Sequence, residues 1–335
     1  MNEPTSLAPW VKRFFLEYLT TTRNLARSTQ VSYRDTLRAI IRDASQSLRK
    51  RPDQLLVEDL SRDRVTRSLY MREQQRKCGP RTTNKSLAAL HTFARFVGEH
   101  CPQHLQWSGQ ILSIPFKKFP QPSIPYLEKS EVDALLAAPN LQNAQGRRDH
   151  ALLLFLYNTG ARASEAAHVT VADVQLRTRS DSRTSFVVLH GKGGKTRLCP
   201  LWPKTAKAIG SVLADRPKDQ HVFLNRCGRP ITRFGIHALV ERYARRLADQ
   251  IPGFSAKRVS PHTVRHSTAS HMLRAGVDIN TIRAWLGHVS IDTTNVYAQI
   301  DVKMKASALE KLEPRAKSSR PARLRADIMR FLESL

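Results

Sequence analysis

The stretch 262-HTVRHSTASHMLRAGVDINTIRAWLGHVSIDTTNVY-297 decides how this chain is read. Ser260-Pro261, just before it, supplies a capping hydroxyl followed by proline at a first helical position, where a missing N–H costs nothing. His262 and Arg265 are three residues apart and share one face of the helix that follows. Gly276 ends that helix. Asp278 or Asn280 can cap the next, whose apolar face carries Ile279, Ile282 and Leu286, and Gly287 ends it. His288 then sits at a helix end, and Ser290 can cap a further short helix bearing Tyr297. Short helices joined by glycine turns can point His288 and Tyr297 back at the His262/Arg265 face. With Arg162 and Lys192 upstream, these are side chains able to grip a phosphodiester and attack it without a metal.

Composition says which phosphodiester. Lys and Arg number 55 against 28 Asp and Glu, a formal net charge of +27. Such a field draws polyanions quickly and in a salt-sensitive way, which points to nucleic acid. At 335 residues, 41% of them hydrophobic, the chain is too long for one ordinary core, so two domains are expected. The cysteines Cys78, Cys101, Cys199 and Cys227 form no C-x-x-C pair, as in a reduced cytosolic chain. The start, MNEPTSLAPWVKRFF, lacks the basic opening and long apolar run expected of a signal peptide, and the longest obvious apolar run, Ala151 to Tyr157, is far short of a membrane span.

Residues 7 to 118 read as helices. Trp10, Phe14, Phe15 and Tyr18 recur at helical spacing; Thr29 leads a second helix with Tyr33, Leu37 and Ile40; Asp59 and Ser61 lie near the start of a third. Gly79-Pro80 is a stop, and Thr82 or Thr83 can cap a fourth helix striped by Leu87, Leu90, Phe93 and Val97. The spacing therefore predicts a helical domain over 1–114 and, from four prolines, a linker over 115–125. A second, mixed and mostly helical domain is expected over 126–313. Ser130 is its first N-cap, His150 to Asn158 is a buried helix ending at Gly160, and Phe186 to Leu189 is a strand turning through Gly191 to Lys195 into TRLCPL. The remainder reads as helical to about Leu312. Residues 314–335 are a basic tail that recovers an amphipathic stripe from Leu324 to Leu335. The fold class expected is mainly α: an all-helical domain plus a mostly helical one carrying a small antiparallel β-sheet.

These residues resemble the tyrosine recombinases, the phage integrase family of lambda integrase, Cre and the Xer proteins. The second signature box is matched by His262-Thr263-Val264-Arg265, Gly276 to His288, and Tyr297 nine residues on; the first by Asn158 to Glu165 with Asp173; the hairpin lysine motif by His190 to Lys195. Residues 7 to 312 are covered. Ala161, Ala166 and Ala167 stand where bulkier residues are usual, and the loop LRTRSDSRTS is extended. The resemblance implies a helical core-binding domain and a catalytic domain, and a site-specific recombinase or integrase working through a 3′-phosphotyrosine.

The resemblance and the residue chemistry then assign roles. Tyr297 is the nucleophile. Arg162 and Arg265 clamp the non-bridging oxygens, Arg162 also being free to pair with Glu165. Lys192, with Lys195 as its rival, protonates the leaving oxygen. His262 is base or relay and His288 positions the phosphate. The spacing of His262 and His266 also suits zinc, but Arg265 beside the cation and the lack of an acidic partner argue for no metal, and no cofactor is expected. Arg81, Thr82 and Lys85 at a helix start, and Tyr33 and Arg34, are candidate DNA contacts. The partners implied are double-stranded DNA, a homotetramer on two sites or a dimer on one, and accessory proteins, with no membrane, in the cytoplasm on the nucleoid. The helix around 304–312 or the one at 322–335 could dock on a neighbouring copy. A type IB topoisomerase and a non-catalytic DNA-binding regulator of the same fold are the alternatives.

Overall fold

The computed structural model describes residues 5–76, 78–120, 125–177, 184–191, 194–213, 216–251, 254 and 257–287. The chain divides into two compact units, Met1–Pro122 and Ser123–Leu335.

The first unit is all helical among the described residues: α1 Leu7–Arg13 running into a π-helical segment Phe14–Thr22, then α2 Arg27–Leu48, α3 Arg62–Arg76, α4 Pro80–His100 and α5 Leu105–Leu112. Aromatic residues hold it together. Phe14, fully buried, meets Phe93 edge-on at 5.2 Å and stacks on Tyr33 at 6.2 Å, and Trp107 donates through Nε1 to Leu60 O at 3.0 Å. Gly79-Pro80 does end α3, but Pro80 also opens α4: Gly79 is its N-cap, and Thr82 and Thr83 lie inside the first turn rather than capping it. Likewise α2 begins two residues before Thr29. The start of the proline-rich stretch is tied to this unit. Asn84 and Lys117 exchange two hydrogen bonds of 2.8 and 2.9 Å, and Lys117 Nζ reaches Glu73 at 2.7 Å.

The second unit begins with α6 Lys129–Ala137, capped not by Ser130 but by Glu128, whose backbone N–H donates to Glu131 at 2.6 Å. Next come α7 Ala144–Thr159, buried almost all round from Ala151 onward, α8 Ala163–His168, and β1 Val174–Gln175, β2 Phe186–His190 and β3 Thr196–Pro200. The strands form one antiparallel sheet in the order β1-β2-β3, with Val187 opposite Cys199 and Leu189 opposite Arg197. Val187, Leu189 and Cys199 point into the core that α7 crosses. The small residues Ala161, before α8, and Ala166 and Ala167, within it, are all buried. After β3 come α9 Pro203–Leu213, α10 Arg233–Ala248, α11 Pro261–Arg274 and α12 Ile279–Leu286. The sequence between α9 and α10, read as helical, is instead irregular, with isolated bridges Thr170–His221 and Leu224–Pro230. Among the described residues no helix is long and apolar enough to cross a membrane.

Candidate active site

Ser260 caps α11 through Thr263 N and Pro261 takes the first position, so the helix starts in a defined register and sets His262 and Arg265 on one face. Arg265 is 2% exposed. Its Nη2 donates to Leu286 O at 2.6 Å, and its Nη1 donates to Gly160 O. Both acceptors are carbonyls at helix C-termini, of α12 and α7, where backbone oxygens lack intrahelical partners and the dipole is negative. Gly160 and Gly287 cap those helices with φ of 59° and 65°, left-handed conformations that favour glycine.

Arg162 reaches the same helix end. It is the N-cap of α8; its Nη1 donates to Glu165 Oε1 at 2.7 Å and its Nη2 to Gly287 O at 3.5 Å. Two guanidinium groups that would repel each other in isolation are thus held on consecutive carbonyls, Leu286 and Gly287. Glu165 supplies the compensating charge. Burial pushes its carboxyl up, but the hydrogen bond from Arg197, the Arg162 amide and the guanidinium charges outweigh this and hold it at about 2. Arg197, on β3, was not singled out in the sequence. It donates to Glu165 Oε2 at 2.7 Å and packs against Gly287, where an added Cβ would lie 3.2 Å from its Nη1. The available signal was strand alternation, which puts Arg197 on the same face as buried Cys199.

His262 is exposed on the first turn of α11. Its partial burial, then the charges of Arg265 and Arg162 and of His237, hold it below the usual imidazole range, so it is neutral and able to accept a proton at neutral pH. The His266 ring lies 6.2 Å from that of His262 at an interplanar angle of 28°, and burial, His262 and Arg265 hold it down at about 4. His271 accepts or donates at 2.8 Å to the hydroxyl of Tyr157, a tyrosine that burial pushes up to about 12. Among the described residues no group of three or more His, Cys, Asp or Glu side chains is arranged to hold a metal ion.

A cleft of about 620 Å³ opens beside Arg162, its walls including Lys195, Arg197, Asn280, Arg283 and Gly287. Of the six candidate catalytic residues, the structure brings Arg162, His262 and Arg265 together. Lys192, His288 and Tyr297 lie outside the described residues, as do the segments 304–312 and 314–335. Gly191 and Gly287, which precede Lys192 and His288 in the chain, both line the cleft. In the first unit, Arg81, Thr82 and Lys85 are exposed on the opening turns of α4. Tyr33 packs on Phe14 with its hydroxyl 3.5 Å from Thr92, and Arg34 is exposed and paired with Asp35 at 2.8 Å.

The phage integrase family matches residues 125–304, and the family's N-terminal SAM-like domain matches 13–99. The chain is 34% identical to y4rC of Sinorhizobium fredii, a provisionally named integrase/recombinase, over 100% of both chains. It is 31% identical to tyrosine recombinase XerC of Chlamydia trachomatis, covering 73% of this chain and 76% of that one. Its fold is that of the Tn1549 transposon integrase solved with a circular intermediate DNA, with a TM-score of 0.68 at 15% identity over 92% of this chain and 99% of that one. It also matches the XerH recombinase bound to a palindromic difH substrate, with a TM-score of 0.65 at 19% identity over 87% and 82%. The chain belongs to the phage integrase family of tyrosine recombinases, enzymes that break and rejoin DNA.

Proposed function

We propose that this protein is a site-specific recombinase that cuts and reseals double-stranded DNA through a 3′-phosphotyrosine, with Arg162, Lys192, His262, Arg265, His288 and Tyr297 as its catalytic set. The observation that carries the reading is the pair of guanidinium groups docked on Leu286 O and Gly287 O, one residue before His288. Their forks suit the non-bridging oxygens of a phosphate and stay charged throughout, so they stabilise the pentacoordinate transition state. Tyr297 Oη attacks phosphorus and gives up its proton to His262, directly or by relay. The bond to the 5′ oxygen breaks, and Lys192 protonates that oxygen. Resealing runs the same steps in reverse, so the phosphotyrosine stores the bond and no nucleotide cofactor is consumed.

Double-stranded DNA as partner is supported by the Tn1549 integrase and XerH complexes, whose fold the chain shares. Exchange between two duplexes calls for four copies, two on each site, in the cytoplasm, with integration, excision, transposition or dimer resolution as the outcome. The test uses nicked duplexes carrying the repeats that flank the gene. Wild type should trap a covalent protein–DNA adduct and Tyr297→Phe should not. Absence of an adduct on every such duplex, or an equal yield from Tyr297→Phe, overturns the assignment. Relaxation of plasmids that carry no such repeats would turn it into a topoisomerase.

A further inference from the structure

The cleft beside Arg162 is larger than one phosphate group requires, and its lining beyond Arg162 is basic as well. Along α12, Asn280, Arg283 and Gly287 follow at three- and four-residue intervals and form one stripe facing the cleft. Arg162 touches that helix at Gly287 O. Arg283 is four residues earlier, so it sits about 6 Å further along the axis at 1.5 Å per residue. That is comparable with the step from one phosphate to the next along a DNA strand. Lys195, exposed on the hairpin, also lines the cleft and makes no ion pair among the described residues.

Arg162, Lys195, Arg197 and Arg283 line the cleft, and Glu165 accepts from Arg162 and Arg197. Among the described residues that line it, none carries an aromatic ring. Arg283 is half-buried and so loses less side-chain freedom on binding than a fully exposed arginine would.

We propose that Asn280 and Arg283 on α12, with Lys195 of the same cleft, form a second phosphate seat that holds the DNA-backbone phosphate next to the one gripped by Arg162. This rests on the recombinase reading for the identity of the polyanion. The seat fixes the strand at two successive phosphates and so orients the scissile one for in-line attack.

The test uses the full chain and a nicked duplex with a single methylphosphonate, which removes one phosphate charge, placed in turn at the scissile position and at each neighbour. Arg283→Ala should weaken duplex binding about 5- to 10-fold and lower the salt slope by about 1. Arg283→Lys should keep the slope and recover part of the affinity. In wild type, one neighbouring methylphosphonate should cost as much as Arg283→Ala, and in Arg283→Ala that same substitution should cost nothing more. Unchanged affinity and slope overturn the proposal. So does a lower melting temperature with an unchanged methylphosphonate pattern, the signature of a purely structural arginine. If no duplex yields a Tyr297 adduct, the recombinase reading fails, while the slope and interference measurements still decide the seat.

Discussion

Arg197 Nη2 donates to Glu165 Oε2 at 2.7 Å from the sheet side, leaving Oε1 for Arg162 at the same distance. One carboxylate therefore sets the position of an arginine in the candidate site while a second arginine, 10% exposed, holds that carboxylate still. Neither pair is a surface ion pair of small worth, because the Glu165 side chain is 4% exposed.

Glu165→Gln should disable the site more than it weakens DNA binding. The amide can still accept from one arginine, but its NH2 group would face the other. Losing one charge-assisted hydrogen bond costs about 1.5–3 kcal/mol, which lowers the cleavage rate about 10- to 150-fold if Arg162 acts on the transition state. Single-turnover cleavage of a nicked duplex, set beside a binding titration, checks this. Equal losses in binding and cleavage would assign Glu165 a folding role instead. Acid should reproduce the effect. The folded carboxyl sits at about 2 against an ordinary 4.5, so its stabilisation is complete above about 4.5 and is lost as pH falls toward 2.

The histidine pair gives a second pH window. His266 titrates at about 4 in the fold against 6.5 ordinarily, and His262 is also lowered. For both, the unfolded chain binds protons first as pH falls. Their effect on stability is therefore nil above about 6.5, and the native state loses ground as pH drops from there, until about 4 for His266. The melting temperature should decline between pH 6.5 and 4, and His266→Gln should flatten part of that decline. Cleavage should fall along an acid limb below 6.5 that disappears in His262→Ala together with most of the activity; a limb that survives would remove His262 from the proton transfer.

Gly160→Ala tests the backbone under Arg265. A Cβ there would lie 2.4 Å from Leu286 Cδ2, at a φ of 59°. The left-handed conformation alone costs about 1–2 kcal/mol, and relief of the clash moves the carbonyl that Arg265 uses. Thermal denaturation should register the first effect. A drop in cleavage beyond what restoring the folded fraction recovers should register the second. A variant as stable and active as wild type would show that the carbonyl dock is incidental.

How much of this could be read from the chain depends on the range of each interaction. The pairing of His262 with Arg265, the Ser260-Pro261 start and the Gly160 and Gly287 ends are local, and they fall where their spacing puts them. The caps went astray where two chemistries competed: Ser130 is the better capping residue, yet Glu128 has Glu131 three positions on to reach back to its amide. Arg197 was missed because a charged residue in a strand reads as solvent-facing, and the carboxylate that makes its burial tolerable comes from α8, 32 residues earlier. The acceptors of Arg265 were illegible for a different reason. They are backbone carbonyls, and any residue has one.

Lys85 and Tyr33, both candidate DNA contacts, should separate by salt. Lys85 is exposed on the first turns of α4, whereas the Tyr33 ring stacks on Phe14 in the core of its unit. Removing a cation that neutralises one phosphate lowers the slope of log K against log salt by about 0.9. Lys85→Ala, and Arg81→Ala beside it, should therefore each reduce the slope by about 1, weaken binding to all duplexes alike and leave the folding stability within about 0.5 kcal/mol of wild type. Tyr33→Ala should instead cost about 1–3 kcal/mol of stability by opening the edge of an aromatic cluster. Tyr33→Phe keeps the stack and removes only the hydroxyl that sits 3.5 Å from Thr92, so it should bind DNA as wild type does. Weaker duplex binding by Tyr33→Phe at an unchanged slope would place that hydroxyl on the DNA and withdraw the packing role.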